Sequence, residues 1–129
     1  MKPLNILVIE DETVICQACE LVLSEKGHSV VTKGTGKAGV EAIHLGRYDI
    51  LLLDMKLPDM DGMAVLNLVS ESKPEMCVII MTGYSSISNA VQAIKQGADD
   101  YLAKPFTDDE LLQSIEASCV SQMNAKGCA

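Results

Sequence analysis

Tryptophan is absent from this chain, phenylalanine occurs once and tyrosine three times. So few rings leave little to sandwich a flavin. Basic side chains are scarce as well: ten Lys and Arg stand against eighteen Asp and Glu, a formal net charge of −8. Phosphate contacts need clustered cations, so direct nucleic-acid binding is not expected. No apolar run approaches the length of a membrane span, and the N-terminus lacks the long apolar core of a secretory leader. The expectation is a cytoplasmic chain with no membrane partner.

A disulfide framework is missing too. The five cysteines, Cys16, Cys19, Cys77, Cys119 and Cys128, are odd in number and scattered, which suits a reducing compartment. Cys16-Gln17-Ala18-Cys19 has the C-x-x-C spacing of redox and zinc pairs. It falls inside a predicted helix, whereas reactive pairs are activated at a helix N-terminus. No second pair completes a zinc site, and neither His28 nor His44 is near it in sequence. Small side chains buried on one helix are the better reading; a thiol oxidoreductase is the alternative.

What the chain does have is one conspicuous run. Ile50-Leu51-Leu52-Leu53 is apolar on both faces and stops on Asp54, with a turn-rich loop, Met55 to Gly62, directly behind. A run of that kind reads as an interior parallel strand covered by helices on each side. Ligands of open α/β sheets gather at the carboxyl ends of such strands, which is where Asp54 falls.

The remainder of the 129 residues follows a strict alternation. Strands are predicted at Leu4–Ile9, His28–Thr32, Asp49–Leu53, Met76–Met81 and Asp100–Ala103. Helices are predicted at Thr13–Lys26, from Thr35 to about Leu45, and from about Gly62 to Ser72 with Asp61 as cap. A fourth begins at a Ser85 or Ser86 cap and carries Ile87, Val91 and Ile94 on one stripe. The last opens on the capping box Thr107-Asp108-Asp109-Glu110 and turns Leu111, Leu112, Ile115 and Cys119 inward. Gly27, Gly46 and Gly97 behind three of these helices read as left-handed stop signals. From about Gln122 to Ala129 periodicity is lost and a frayed tail is expected. No repeat or linker divides the chain, so residues 1–129 read as one domain with its core between about 4 and 121. Such βα alternation requires a parallel sheet with right-handed crossovers. The fold class is α/β, flavodoxin-like, with five strands in the order 2-1-3-4-5 and helices on both faces.

In that order the first, third and fourth strands are neighbours and the fifth adjoins the fourth. Glu10, Asp11 and Asp54 then crowd at one edge, with Thr82 and Lys104 facing them. Three close carboxylates repel unless a cation neutralises them, and hard oxygens with open positions suit Mg²⁺. Lys104 supplies a point charge and Thr82 a hydroxyl for a phosphoryl group on Asp54. Singly, each has a plainer reading: acids favour helix N-termini, and a Thr or a Lys-Pro at a strand end is common. Asp59 and Asp61 read as loop and cap residues. An FMN carrier of the same topology would need a hydroxyl- and glycine-rich cradle where Glu10-Asp11-Glu12 stands.

The motifs Glu10-Asp11, Asp54 in D-M-K-L-P-D-M-D-G, Thr82-Gly83, Tyr101 and Lys104-Pro105 resemble those of bacterial response-regulator receiver domains, the CheY-like superfamily, over about Leu4 to Ser121. The resemblance implies Asp54 as phosphoacceptor in a two-component phosphorelay. It implies Mg²⁺, or Mn²⁺ in its place, held by Asp11, Asp54 and the Lys56 backbone carbonyl, with Glu10 acting largely through water. It implies a cis peptide at Lys104-Pro105. Thr82, Gly83, Lys104 and Tyr101 become phosphoryl-binding and switch residues; Lys56 and Tyr84 occupy positions associated with phosphoryl lifetime. The implied donor is a sensor histidine kinase or phosphotransfer protein. The implied output is an effector or a second copy of the chain, met through the fourth helix, fifth strand and fifth helix. The chain would catalyse its own phosphorylation and dephosphorylation while serving primarily as a switch. Gly83 to Phe106 is similar to receivers attached to enhancer-binding transcription activators, so control of transcription is one expected output. Glu10 departs from the Asp that many members carry there. Within the family the alternative is a phosphorylation-independent docking module.

Overall fold

The computed structural model of the chain describes residues 2–83 and 87–127, with side chains for these except 87, 89 and 119–127. At its centre is β3 (Ile50–Asp54), buried at every position. β1 (Asn5–Ile9) lies on one side of it and β4 (Cys77–Gly83) on the other, while β2 (Ser29–Lys33) and β5 (Asp100–Lys104) form the edges. All four pairings are parallel and the order is β2-β1-β3-β4-β5, as the alternation requires.

Period-two geometry sorts the central strands onto two cores. Leu7, Ile9, Leu51, Leu53, Val78 and Ile80 face α2 (Gly36–Leu45), α3 (Gly62–Ser72) and α4 (Ile87–Lys95). Ile6, Val8, Leu52, Ile79 and Met81 face α1 (Thr13–Glu25) and α5 (Asp108–Gly127). Both faces of β3 are thereby dry, which is why its sequence shows no alternation.

Local signals set the helix ends. Asp61 accepts the Met63 amide at 2.9 Å and starts α3. Thr107 and Glu110 exchange side-chain acceptors for backbone amides at 3.1 and 2.9 Å, the reciprocal box that opens α5. Gly27 (φ 90°) and Gly97 (φ 121°) adopt the left-handed stop. Gly46 does not: its backbone is extended at φ −132°.

Four further departures concern boundaries and packing. β2 begins at Ser29, because His28 turns inward and accepts the Leu4 amide on Nδ1 at 3.0 Å. β4 runs on through Thr82 and Gly83, which pair with Ala103 and Lys104 of a β5 one residue longer than expected. α5 continues to Gly127, past the tail expected from Gln122. Among the described side chains of α4 the buried ones are Ala90 and Ala93, both fully enclosed, whereas Val91 and Ile94 are 49% and 40% exposed. Val91 and Ile94 of the apolar stripe thus face outward, and the Ile87 side chain lies outside the described ones; small side chains at Ala90 and Ala93 let the helix lie close to the sheet. The expected Ser85 or Ser86 cap lies outside the described residues.

Candidate functional site

Strand register assembles the carboxyl edge. Ile9 pairs with Leu53 and Asp54 with Met81, so Glu10, just past β1, comes level with Asp54, and Thr82 follows one residue beyond. Asp54 is only 6% exposed. Its Oδ1 accepts the Lys56 amide at 3.1 Å and its Oδ2 lies 3.4 Å from Lys104 Nζ. Lys104, the last residue of β5, also reaches Glu10 Oε1 at 2.5 Å and Glu12 Oε1 at 3.7 Å. One ammonium thus serves three acids, and two of those are buried. The Lys104–Pro105 peptide is cis.

The balance is negative. Oxygens of Glu10, Asp11 and Asp54 all lie within 4.8 Å of one another. Burial, then the Asp54 carboxylate, pushes the Glu10 carboxyl up to about 7, and Lys104 only partly opposes this. Burial works against the Lys104 ammonium too, but Glu10 and Asp54 outweigh it and hold its pKa above the usual range. An acid that would otherwise take up a proton near neutrality, among hard oxygen donors with an exposed Asp11 at the rim, fits a divalent cation.

The loop behind Asp54 is tightly folded. Gly62 donates to the Met55 carbonyl at 2.9 Å, and Lys56 bridges to Asp61. A Cβ on Gly62 would sit 2.7 Å from the Asp54 carbonyl oxygen and the Met55 Cα, closer than any side chain tolerates. Around the edge, Thr82 is buried with its hydroxyl donating to the Gly83 carbonyl at 3.4 Å. Gly83 borders open space, and Tyr101 on β5 is 41% exposed. A cavity of about 330 Å³, lined among others by Val14, Ala18, Lys104 and Phe106, adjoins the site. Of the residues singled out in the sequence, Glu10, Asp11, Asp54, Thr82 and Lys104 come to this one edge, joined by the Lys56 backbone. Tyr84 lies outside the described residues.

Two residues make contacts that the sequence reading did not assign to them. Glu12 shares Lys104. Asp59 accepts the Gly36 and Lys37 amides at 2.8 and 2.9 Å. Neither carries a local signal, since each partner is distant in sequence. The C-x-x-C pair stands apart from reactive chemistry: burial pushes the Cys19 thiol up to about 12. Cys16 is raised as well, by burial and then by Glu10, and its Sγ donates to the Glu10 carbonyl at 3.2 Å.

Comparison with known proteins agrees with this geometry. Residues 6–116 match the family model described as the response regulator receiver domain. The cell cycle response regulator CtrA of Brucella ovis is 40% identical over 114 residues, covering 88% of this chain and 49% of that one. The chain therefore spans about half the length of the curated relatives it matches. Among solved structures, NtrX from Brucella abortus superposes with a TM-score of 0.94 at 29% identity, over 98% of this chain and 29% of that chain. A CheY-like receiver domain protein from Methanospirillum hungatei gives 0.90 at 31% identity, over 96% of this chain and 99% of that one. With a family match that runs from the first strand into the last helix, this protein belongs to the response-regulator receiver domains of two-component systems.

Proposed function

We propose that Asp54 is the phosphoacceptor of this receiver, taking a phosphoryl group from a phosphohistidine on a sensor kinase or phosphotransfer protein. The observation that carries this is the sharing of Lys104 between Glu10 and Asp54 at the mouth of a three-acid cluster. An Asp54 carboxylate oxygen attacks phosphorus in line with the departing imidazole nitrogen. The new O–P bond forms as the N–P bond breaks, the imidazole takes up a proton, and an aspartyl phosphate results. The transition state is loose, so catalysis is chiefly positioning and charge stabilisation. Mg²⁺ held by Asp11, Asp54 and the Lys56 carbonyl, with Glu10 beside it, would neutralise phosphoryl oxygens. Lys104 exchanges its contact with Glu10 for a phosphoryl oxygen, and the Thr82 hydroxyl turns from the Gly83 carbonyl to donate to another. Lys56, whose side chain is exposed, and Tyr84 shield the product from water.

The cavity beside Lys104, with Val14 77% exposed at its rim, supports an approach route for the donor protein. Output runs through α4, β5 and α5: the added charge draws Thr82 inward, Tyr101 follows, and the exposed Val91 and Ile94 meet an effector or a second copy of the chain. Incubation with a small-molecule phosphodonor and Mg²⁺ should add one phosphoryl group by intact mass, and Asp54→Asn should abolish it. Labelling that survives Asp54→Asn would overturn the assignment. No labelling of either protein would favour the phosphorylation-independent docking module.

A further inference from the structure

Asp59 is a loop residue in the sequence and an anchor in the structure. Its Oδ1 accepts the Gly36 amide at 2.8 Å and its Oδ2 the Lys37 amide at 2.9 Å, across 23 and 22 residues of chain. These are first-turn amides of α2, which have no partner within the helix. Both bonds are charge-assisted, and the carboxylate also complements the helix dipole. The Lys37 amide first, then that of Gly36, holds the Asp59 carboxyl below its usual range. The neighbouring Met60 side chain packs so closely over Gly36 that a Cβ there would collide with it. Partway along, the loop from Asp54 to Gly62 is thus fastened to α2 by a bidentate carboxylate and a thioether. At its base it closes on itself, through the Lys56–Asp61 bridge and the Gly62 amide on the Met55 carbonyl.

Lys56 lies three residues before Asp59, and its amide is bonded to the Asp54 carboxylate. We propose that Asp59 is a positioning residue: by clamping the acceptor loop onto the N-terminus of α2, it sets the orientation of the Lys56 backbone and the Asp54 carboxylate for cation capture. The inference rests on the reading of Asp54 and Lys56 given above. It adds that α2, which carries no residue of the site, is coupled to it. Because the coupling is reciprocal, a cation at the acid cluster slows opening of the first turn of α2.

The test compares two variants that each remove an acceptor from the N-terminus of α2. Asp59→Ala deletes the clamp. Thr35→Ala deletes the helix's own cap, the hydroxyl that accepts the Ala38 amide at 3.1 Å, and leaves the acceptor loop untouched. Magnesium alone is titrated calorimetrically into each full chain, and amide exchange is read at Lys56 and Ala38 without the metal. Asp59→Ala should weaken magnesium binding about tenfold, in line with other outer contacts of metal sites, and speed exchange at Lys56 severalfold. Thr35→Ala should speed exchange at Ala38 while leaving Lys56 and the affinity as in the parent. Should Asp59→Ala fail to fold, Asp59→Asn retains an oxygen for one of the two amides and should show an intermediate loss in both readouts. Equal effects of the Asp59 and Thr35 variants at Lys56, or none from either Asp59 variant, would overturn the clamp. A parent protein that binds no magnesium would instead sink the cation site, and the exchange comparison would still decide the role of Asp59.

Discussion

Glu10 gives the most searching test of the electrostatics. In the folded, metal-free protein its carboxyl titrates at about 7, against an ordinary value of 4.5. Between those values the folded state holds a proton that the unfolded chain has released, so stability is fully present below pH 4.5 and is lost as pH rises through 7. At about 1.4 kcal/mol per pH unit the loss totals about 3 kcal/mol. For a domain of this size that is a fall in melting midpoint of about 10 °C. Thermal melts in chelator at steps from pH 5 to pH 8 read it directly. Glu10→Gln should lose this fall with rising pH, because the amide cannot ionise. Saturating Mg²⁺ should remove the fall with rising pH from the parent too, since a cation among the three acids favours their ionised forms. A parent midpoint in chelator that holds level or rises relative to Glu10→Gln would refute the reasoning.

Three other outcomes follow from the same structure. Burial lowers the His28 pKa below its ordinary 6.5, and protonation would turn Nδ1 into a donor against the Leu4 amide. In the Glu10→Gln background stability should therefore drop as pH falls through 6.5, and His28→Asn should remove that dependence in urea unfolding. Gly62→Ala should cost about 1–3 kcal/mol and slow labelling of Asp54, because its Cβ meets backbone rather than a movable side chain; an unchanged labelling rate would count against the tight loop. Replacing Cys16 with Ser and Cys19 with Ala should cost stability but leave Asp54 labelling intact, and loss of labelling with the fold preserved would revive the thiol reading.

The parts of the fold written in local chemistry were legible. Ile50 to Leu53 announced a strand buried on both faces, Asp61 and Thr107 announced caps, and the alternation of elements led to the strand order. Asp54, Glu10, Asp11, Thr82 and Lys104 could be brought together from the strand order alone, because parallel strands deliver their ends to one edge. Tertiary choices were less legible. Alanine and isoleucine both satisfy a helical stripe, so hydropathy alone did not reveal that α4 buries Ala90 and Ala93 and exposes Val91 and Ile94. Asp59 looked like any loop acid, since its partners at Gly36 and Lys37 lie far back in the chain. Gly46 looked like its two counterparts, yet needs no left-handed backbone.

The alanine seam beneath α4 carries one more implication. Among the described side chains, this helix is fastened by two methyl groups, whereas α3 sinks Val65, Leu66 and Val69 into the same layer. At about 0.8 kcal/mol for each buried carbon, sliding α4 along the sheet forfeits little. In the proposed switch, a charge arriving next door need supply only a small push to a helix so lightly held by these two side chains.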